Sequence, residues 1–529
     1  MKTSLSRMGL AALIAGLTAP AAAQPLPENR ILRVVPFADL AMIDPITTTA
    51  GNVQSHAVMV YDFLFGQDAQ QAIKPQMVDT WSMSADGLVW RFVLRDGLAF
   101  HDGAPVTSDD VIQSLKRWGA RDAYGRQLMA VTDSMTAIDL KTIDWKLMQP
   151  YGLMLEALSK SGSNVPAIMP KRVAETDPFK NIEDATGSGP FIFKKDEWRP
   201  GVKAVYVRNA AYIARKEPAS GTTGGKFVNV DRVEWINMPD QQAAVFALQN
   251  GEVDFLENTP VDLIPDLKKR GIGLQVTNTL GHQGMLRMNH LHPPFNNVKA
   301  RRAVLYLVDQ KNYLKAMWGD AEIWKECRAF MACGSVLGSE AGAEAAFGKA
   351  RDTAKTLMIE AGYKGEPIVL MQPTDIVFLA NATLLLAQDL RSIGMTVDVQ
   401  AMDFSTLAKR RVNNKPPAEG GWHIALTWWN GMSSSDPVGN LPLSAACEKA
   451  WPGWPCDAAH QALIDDFGRT VDAGQRKAIA VKIQESAMKL VPYVPLGMWF
   501  QPVAVSPRLK GLINVPGAMV FWGVEKTAK

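Results

Sequence analysis

The segment from Lys74 to Trp118 carries more local constraint than any other part of the chain. Leu88, Trp90, Phe92 and Leu94 alternate with Val89, Arg91, Val93 and Arg95. That period of two predicts a strand with one apolar face. Asp86-Gly87, Asp96-Gly97 and Asp102-Gly103 put glycine where tight turns need a positive φ. Thr107 and Asp110 have capping-box spacing. Val111, Leu115 and Trp118 then form one stripe of the helix that follows. The segment therefore reads as strands followed by a capped helix, which by itself assigns no function.

The N-terminus has the composition of an export signal. Lys2 and Arg7 precede a short apolar run from Met8 to Leu17, and Ala21-Ala22-Ala23 offers a cleavage site before Gln24. The run is shorter than the roughly 20 residues needed to span a bilayer, and Pro20 closes it. No Cys follows it, so a lipid anchor is not expected. Cleavage would remove two basic residues and no acidic ones, taking the net charge from +3 to +1. That balance gives no support for nucleic acid or an anionic membrane as partner. Export permits disulfides. The four cysteines, Cys327, Cys333, Cys447 and Cys456, allow three pairings. The short loops Cys327–Cys333 and Cys447–Cys456 are the simplest. A zinc site would want the tighter Cys-x-x-Cys spacing.

At 529 residues the chain exceeds one core, so two or three domains are expected. Val202 to Val207 and Val228 to Ile236 read as strands, with a flexible surface loop at Ser220–Gly225 between them. Asp240 is placed to cap a helix Gln241–Asn250 that stops at Gly251. Later, strand Ile368–Met371, helix Phe378–Ile393 and strand Met395–Gln400 make a βαβ unit and hence a parallel pair. His423–Trp429 and Val494–Val503 read as strands and Ala473–Leu490 as a helix.

The order of the motifs adds a resemblance. Pro75 and Trp81 flank five residues. Asp86-Gly87-x-x-Trp90-x-Phe92-x-Leu94-Arg95 follows, then Phe100-His101-Asp102-Gly103-x-Pro105-x-Thr107-x-Asp109-Asp110-Val111. This closely resembles the signature of family 5 extracellular solute-binding proteins, the periplasmic receptors of peptide- and nickel-type ABC importers. Gly187-Ser188-Gly189-Pro190-Phe191, Pro294-Phe295 with Arg301-Arg302-Ala303, Ala361-Gly362-Tyr363, Leu390-Arg391-x-Ile393-Gly394-Met395 and Asp436-Pro437 resemble further family elements. Ser188 stands where the family has Thr. The resemblance implies an α/β, two-lobed periplasmic-binding-protein fold with an extra inserted domain and a ligand cleft between the lobes. The implied division is a signal peptide at 1–23, a first lobe from 24–65, 186–290 and 504–529, an inserted domain at 66–185, and a second lobe at 291–503.

The same resemblance nominates site residues. Asp436 stands where peptide-binding relatives receive the ligand's α-ammonium, though the approach Ser433-Ser434-Ser435 is poorer in aromatics and acids than in many relatives. Read bottom-up, Asp-Pro is also a turn starter. Trp428 and Trp429 precede it on opposite strand faces, so one is expected to line the cleft. Gly281–Asn289 matches the strand crossing between lobes, from which His282 and Met285 could reach the ligand. Thr47, Thr48 and Thr49, after Asp44-Pro45, sit where relatives contact ligand from the first lobe. His101 is expected to be structural.

With seven His, of which His290-x-His292 is the closest pair, no convergent metal set is evident. No Gly-x-Ser-x-Gly elbow, phosphate-binding Lys loop or carboxylate dyad appears, so an enzyme is not expected. The reading is a monomeric periplasmic receptor of a Gram-negative cell, without a cofactor. It would close about a hinge on a di- or oligopeptide-like solute and deliver it to ABC permease subunits. The alternatives are a receptor for an opine, modified amino acid, metal chelate or haem, an extracytoplasmic chaperone or sensor, and a periplasmic hydrolase.

Overall fold

The computed structural model describes residues 26–319, 323–344, 346–347 and 351–528; the expected signal peptide lies outside them. Three sheets organise the chain. The first has seven strands in the order Gly273–Gln275, Val503–Val505, Phe255–Leu256, Ile31–Val35, Arg232–Ile236, Lys203–Arg208, Phe191–Phe193. The second has six, in the order Trp324–Lys325, Val494–Trp499, His282–Met288, Ile424–Asn430, Ile368–Pro373, Val397–Met402. The third has four, Val78–Met83, Val89–Leu94, Thr142–Leu147 and Thr132–Ala137, all antiparallel.

Local signals gave local structure. Gly87, Gly97 and Gly103 all have positive φ. Trp90, Phe92 and Leu94 are buried while Arg91 is exposed. The capping box forms: Thr107 N donates to Asp110 Oδ2 at 2.9 Å, and the helix runs Ser108–Gly119 with Val111, Leu115 and Trp118 in the core. Asp240 caps Gln241–Asn250, and Gly251 takes the left-handed position. Ile368–Pro373 and Val397–Met402 are parallel, joined by helix Val377–Ser392. Ala473–Leu490 is helical as expected.

The motif turns meet in space for a steric reason. Gly187 N donates to His101 Nδ1 at 3.2 Å, so Nε2 carries the proton and donates to Gly189 O at 3.1 Å. A Cβ at Gly187 would sit 2.0 Å from Val60 O, and one at Gly189 2.6 Å from Met59 O. Only glycine fits under the end of helix Gly51–Val60 at these two positions.

Three expectations differ. The single strand Val494–Val503 is two strands in different sheets, with 500–502 crossing between them; Pro502 has no N–H to continue a ladder. His282–Met288 does not itself cross: it pairs with Ile424–Asn430 and Val494–Trp499, so this part of the expected first-lobe range hydrogen-bonds into the second sheet. The crossing is 276–281. The expected surface loop Ser220–Gly225 packs inward, with Thr222 and Thr223 buried against the hairpin at Gly66. Its glycines allow this close approach rather than flexibility.

Burial lowers the pKa of several histidines, His56 to about 3 and His101, His282 and His423 to about 4. An unfolded chain protonates such rings near pH 6.5. Below that pH it binds more protons than the folded chain, so stability falls as pH drops from about 6.5 toward 4. Glu257, raised to about 7 by burial, opposes this, as do Glu156, Asp389 and Asp436, whose carboxyls burial also raises, but the histidines lowered by burial, His290 and His460 included, outnumber them. The melting temperature is expected to decline through that window in scanning calorimetry; a flat or rising profile would contradict it.

Candidate ligand site at the junction of the two large sheets

Strand register shows which edges face each other. In the first sheet Ile31–Val35 is parallel to Arg232–Ile236 and Phe255–Leu256, and Leu256 lies opposite Ala504 next to the 500–502 crossing. In the second sheet Asn430 ends its strand opposite His282, the first residue after the 276–281 crossing. The C-terminal ends of both parallel sets therefore meet at the crossings. Such edges leave loops and helix starts free to bind ligand.

Asp436 lies in the loop that leaves Asn430. Its Oδ1 accepts from Val438 N at 2.8 Å and Gly439 N at 2.9 Å, the turn geometry an Asp-Pro supports. Its Oδ2 accepts the hydroxyl proton of Tyr124, which comes from helix Ala123–Ala130 at the far side of the junction. Burial holds this carboxyl above the usual carboxylate range, against the lowering effects of Tyr124, the two N–H groups and Lys160. Asp122 caps the Tyr124 helix and pairs with Lys160, whose ammonium lies 5.5 Å from the Tyr124 ring centroid.

The two tryptophans take opposite faces, as the strand period requires. Trp428 is half-buried against Phe378 (5.5 Å between centroids) and Phe404 (5.4 Å). Both phenylalanines start helices that follow parallel strands, so this wall stands at the sheet's C-terminal edge. Trp429 packs edge-on to Trp451 at 5.8 Å, and its Nε1 is buried without a hydrogen-bond partner. His282 stacks on Trp499 at 5.6 Å and is neutral, its pKa drawn down by burial. Met285 is 1% exposed and belongs to the core in this conformation, because it sits three residues inside the strand with neighbours on both sides.

Thr47, Thr48 and Thr49 lie in the loop after the central strand of the first sheet. Thr48 Oγ1 accepts from Ala50 N at 3.2 Å, and Asn164 Nδ2 donates to Ile46 O at 2.6 Å and Thr48 O at 3.3 Å. They line a cavity of about 580 Å³ with Ala120, Arg121, Arg126, Asn164 and Phe179. Sequence reading missed Tyr124, Lys160, Asn164 and the two arginines. Each stands tens to hundreds of residues from its partners, and no local pattern marks it.

The cysteines pair as Cys327–Cys333 and Cys447–Cys456. Glu340 lies beside the first pair, but those sulfurs are bonded to each other and offer no thiolate. No helix among the described residues is long and apolar enough to cross a membrane.

Comparison with known proteins follows the same outline. The family model for bacterial extracellular solute-binding proteins, family 5, matches residues 72–451. A probable peptide ABC transporter periplasmic-binding protein of Sinorhizobium fredii, y4tO, is 38% identical, with 92% of each chain covered. The glutathione-binding protein GsiB of Escherichia coli K12 is 24% identical with 98% of each covered. Among solved structures, Helicobacter pylori DppA in complex with the peptide STSA superposes with a TM-score of 0.77 at 21% identity, over 94% of this chain and 99% of that one. AgaA of A. tumefacien R10 in complex with agropinic acid gives 0.75 at 21%, over 94% and 99%. The fold is thus that of the periplasmic binding proteins. On its sequence, this chain belongs to family 5 of the bacterial extracellular solute-binding proteins, which are binding components of transport and not enzymes.

Proposed function

We propose that this chain is the periplasmic substrate-binding component of an ABC importer, taking a peptide-like solute at the junction of its lobes and delivering it to the membrane permease. The observation that carries this is the near full-length likeness to y4tO, combined with two crossing segments that bring the C-terminal edges of two parallel strand sets together. The basic, apolar and small-residue order of residues 1–23 supports export by a cleaved signal. The first lobe comprises the first sheet, the second lobe the second sheet including 282–288, and the inserted domain the third sheet. Trp428, Trp429, His282, Asp436, Thr48 and Thr49 are the contact residues of this reading.

The inserted domain moves with the first lobe, because the buried Asp44–Arg117 pair ties them together. Its contacts with the second lobe are then the contacts of closure. These include Gly152 N to Gly468 O at 3.0 Å, Arg476 Nη2 to Glu156 Oε1 at 2.6 Å, and the Tyr124–Asp436 hydrogen bond. Ligand would shift the population toward this arrangement. A Cβ at Gly152 would lie 1.8 Å from Thr470 O. Gly152→Ala is therefore expected to enlarge the radius of gyration of the ligand-saturated protein in solution scattering and to weaken binding about tenfold. An unchanged radius would remove Gly152 from the closing surface.

Mass spectrometry of small molecules released from the purified protein by denaturation tests the ligand class. Recovered peptides would support the reading. Recovery of one non-peptide would replace it with the second reading, a receptor for an opine-like or other modified amino acid. One observation favours that second reading: Asp436 already accepts three hydrogen bonds, so it is poorly disposed to serve as the main ammonium partner.

A further inference from the structure

We infer that the cavity between the Thr47–Thr49 loop and the helices around Arg121 and Arg126 is a subsite for a negatively charged group of the ligand, a carboxylate or similar oxyanion. This rests on the receptor reading above and narrows its substrate class. The cavity holds about 580 Å³. Arg121 lies with its guanidinium 4.8 Å from the Phe179 ring centroid, and Arg126 Nη1 donates to Arg121 O at 2.6 Å. Neither guanidinium meets a carboxylate among the described residues.

The acids around the junction are in the opposite condition. Arg117 pairs with Asp44, Lys160 with Asp122, and Arg476 with Glu156. Asp436 is the exception, held by neutral donors only: it accepts from Tyr124 and two backbone N–H groups. At the cavity itself, the charges without an ion-pair partner among the described residues are therefore those of the two arginines. Two guanidinium forks beside threonine hydroxyls match a planar oxyanion, which accepts bidentate, charge-assisted bonds.

Position connects this cavity to the junction. The threonine loop leaves the C-terminal end of the central strand of the first sheet. Asn164, which is hydrogen-bonded to this loop, is two residues from Gly162, where an added Cβ would lie 3.2 Å from Ser433 Oγ on the loop leading to Asp436. A solute at the junction can thus put one end against the second-lobe loop and an acidic group against the arginines.

The test is equilibrium dialysis of the full mature protein against a synthetic library of di-, tri- and tetrapeptides, half of them carrying Asp or Glu, with retained peptides read by mass spectrometry. The wild type is expected to enrich the acidic members at least about tenfold, the effect of one charge-assisted hydrogen bond, with the enrichment shrinking at high salt. The double variant Arg121→Gln with Arg126→Gln should bind peptides without that preference. Both side chains reach solvent, so the fold should survive, and an unchanged melting temperature would verify it. Equal retention of acidic and neutral peptides by the wild type, or a preference that persists in the double variant, would overturn the subsite while leaving the receptor reading intact. Retention of no peptide by either protein would overturn the peptide-binding reading together with the acidic-peptide subsite built on it.

Discussion

Arg287→Met is expected to lower the unfolding free energy by about 3–5 kcal/mol, seen as a large drop in urea midpoint and melting temperature. The Arg287 side chain is fully buried and its guanidinium has no carboxylate partner among the described residues; backbone carbonyls hold it instead. It donates to Pro442 O at 2.6 Å, Trp451 O and Pro452 O at 2.8 Å, and Pro492 O at 3.0 Å, and lies 5.1 Å from the Trp451 ring centroid. Three chain segments thus converge on one planar group. Burial pulls its pKa down to about 9, which leaves it charged at neutral pH. Methionine fills the space but strips these carbonyls of their donor, and an unsatisfied buried carbonyl costs roughly 1–3 kcal/mol. Lysine, with a compact ammonium, cannot reproduce the fork and is expected to fall between the two. Gly453 shows how close the fit is: with φ at +112°, its added Cβ would lie 2.3 Å from Arg287 Nε. A loss under about 1 kcal/mol in Arg287→Met would show that water or a shifted loop replaces the guanidinium.

The second large effect belongs to the Asp44–Arg117 pair. Arg117→Met alone is expected to cost about 3–5 kcal/mol, because it strands a buried carboxylate. The side chains are 0% and 1% exposed, and the two bonds measure 2.7 and 3.1 Å. Arg117 also donates to Thr176 O and Lys180 O, and Asp44 accepts from Ile46 N and Ile182 N. Replacing both, as Asp44→Leu with Arg117→Met, should cost less than the sum of the single changes. Strict additivity in that double-mutant cycle would mean the two groups do not act as a pair. Because Asp44 anchors the loop that carries Thr47–Thr49, Arg117→Met should also weaken ligand binding under conditions where the variant remains folded.

What the chain showed in advance was local. The capping box at Thr107 and Asp110, the Asp-Gly turns, the helix from Asp240 to Gly251 and the βαβ unit through 368–402 each rest on residues within a few positions of one another. Alternation required Trp428 and Trp429 to face opposite ways, and they do. The family signature extended this to an α/β architecture over the whole chain. The errors had a common origin. Val494–Val503 looks like one strand because apolar residues continue through it, yet its two halves join different sheets. Ser220–Gly225 looks mobile by composition, yet small residues also permit the tightest packing.

The candidate site was legible only in part. The resemblance nominated Asp436 and the threonines, but nothing local in the sequence marks their surroundings. Tyr124 is 312 residues from Asp436, and no periodicity or spacing connects them. Local structure was determined by the sequence alone because caps, turns and strand faces depend on near neighbours and backbone sterics. Which charges are neutralised, which aromatic residues stay open and which arginines remain without an acid were decided by the tertiary structure, because burial and pairing depend on segments that meet only when the sheets have packed.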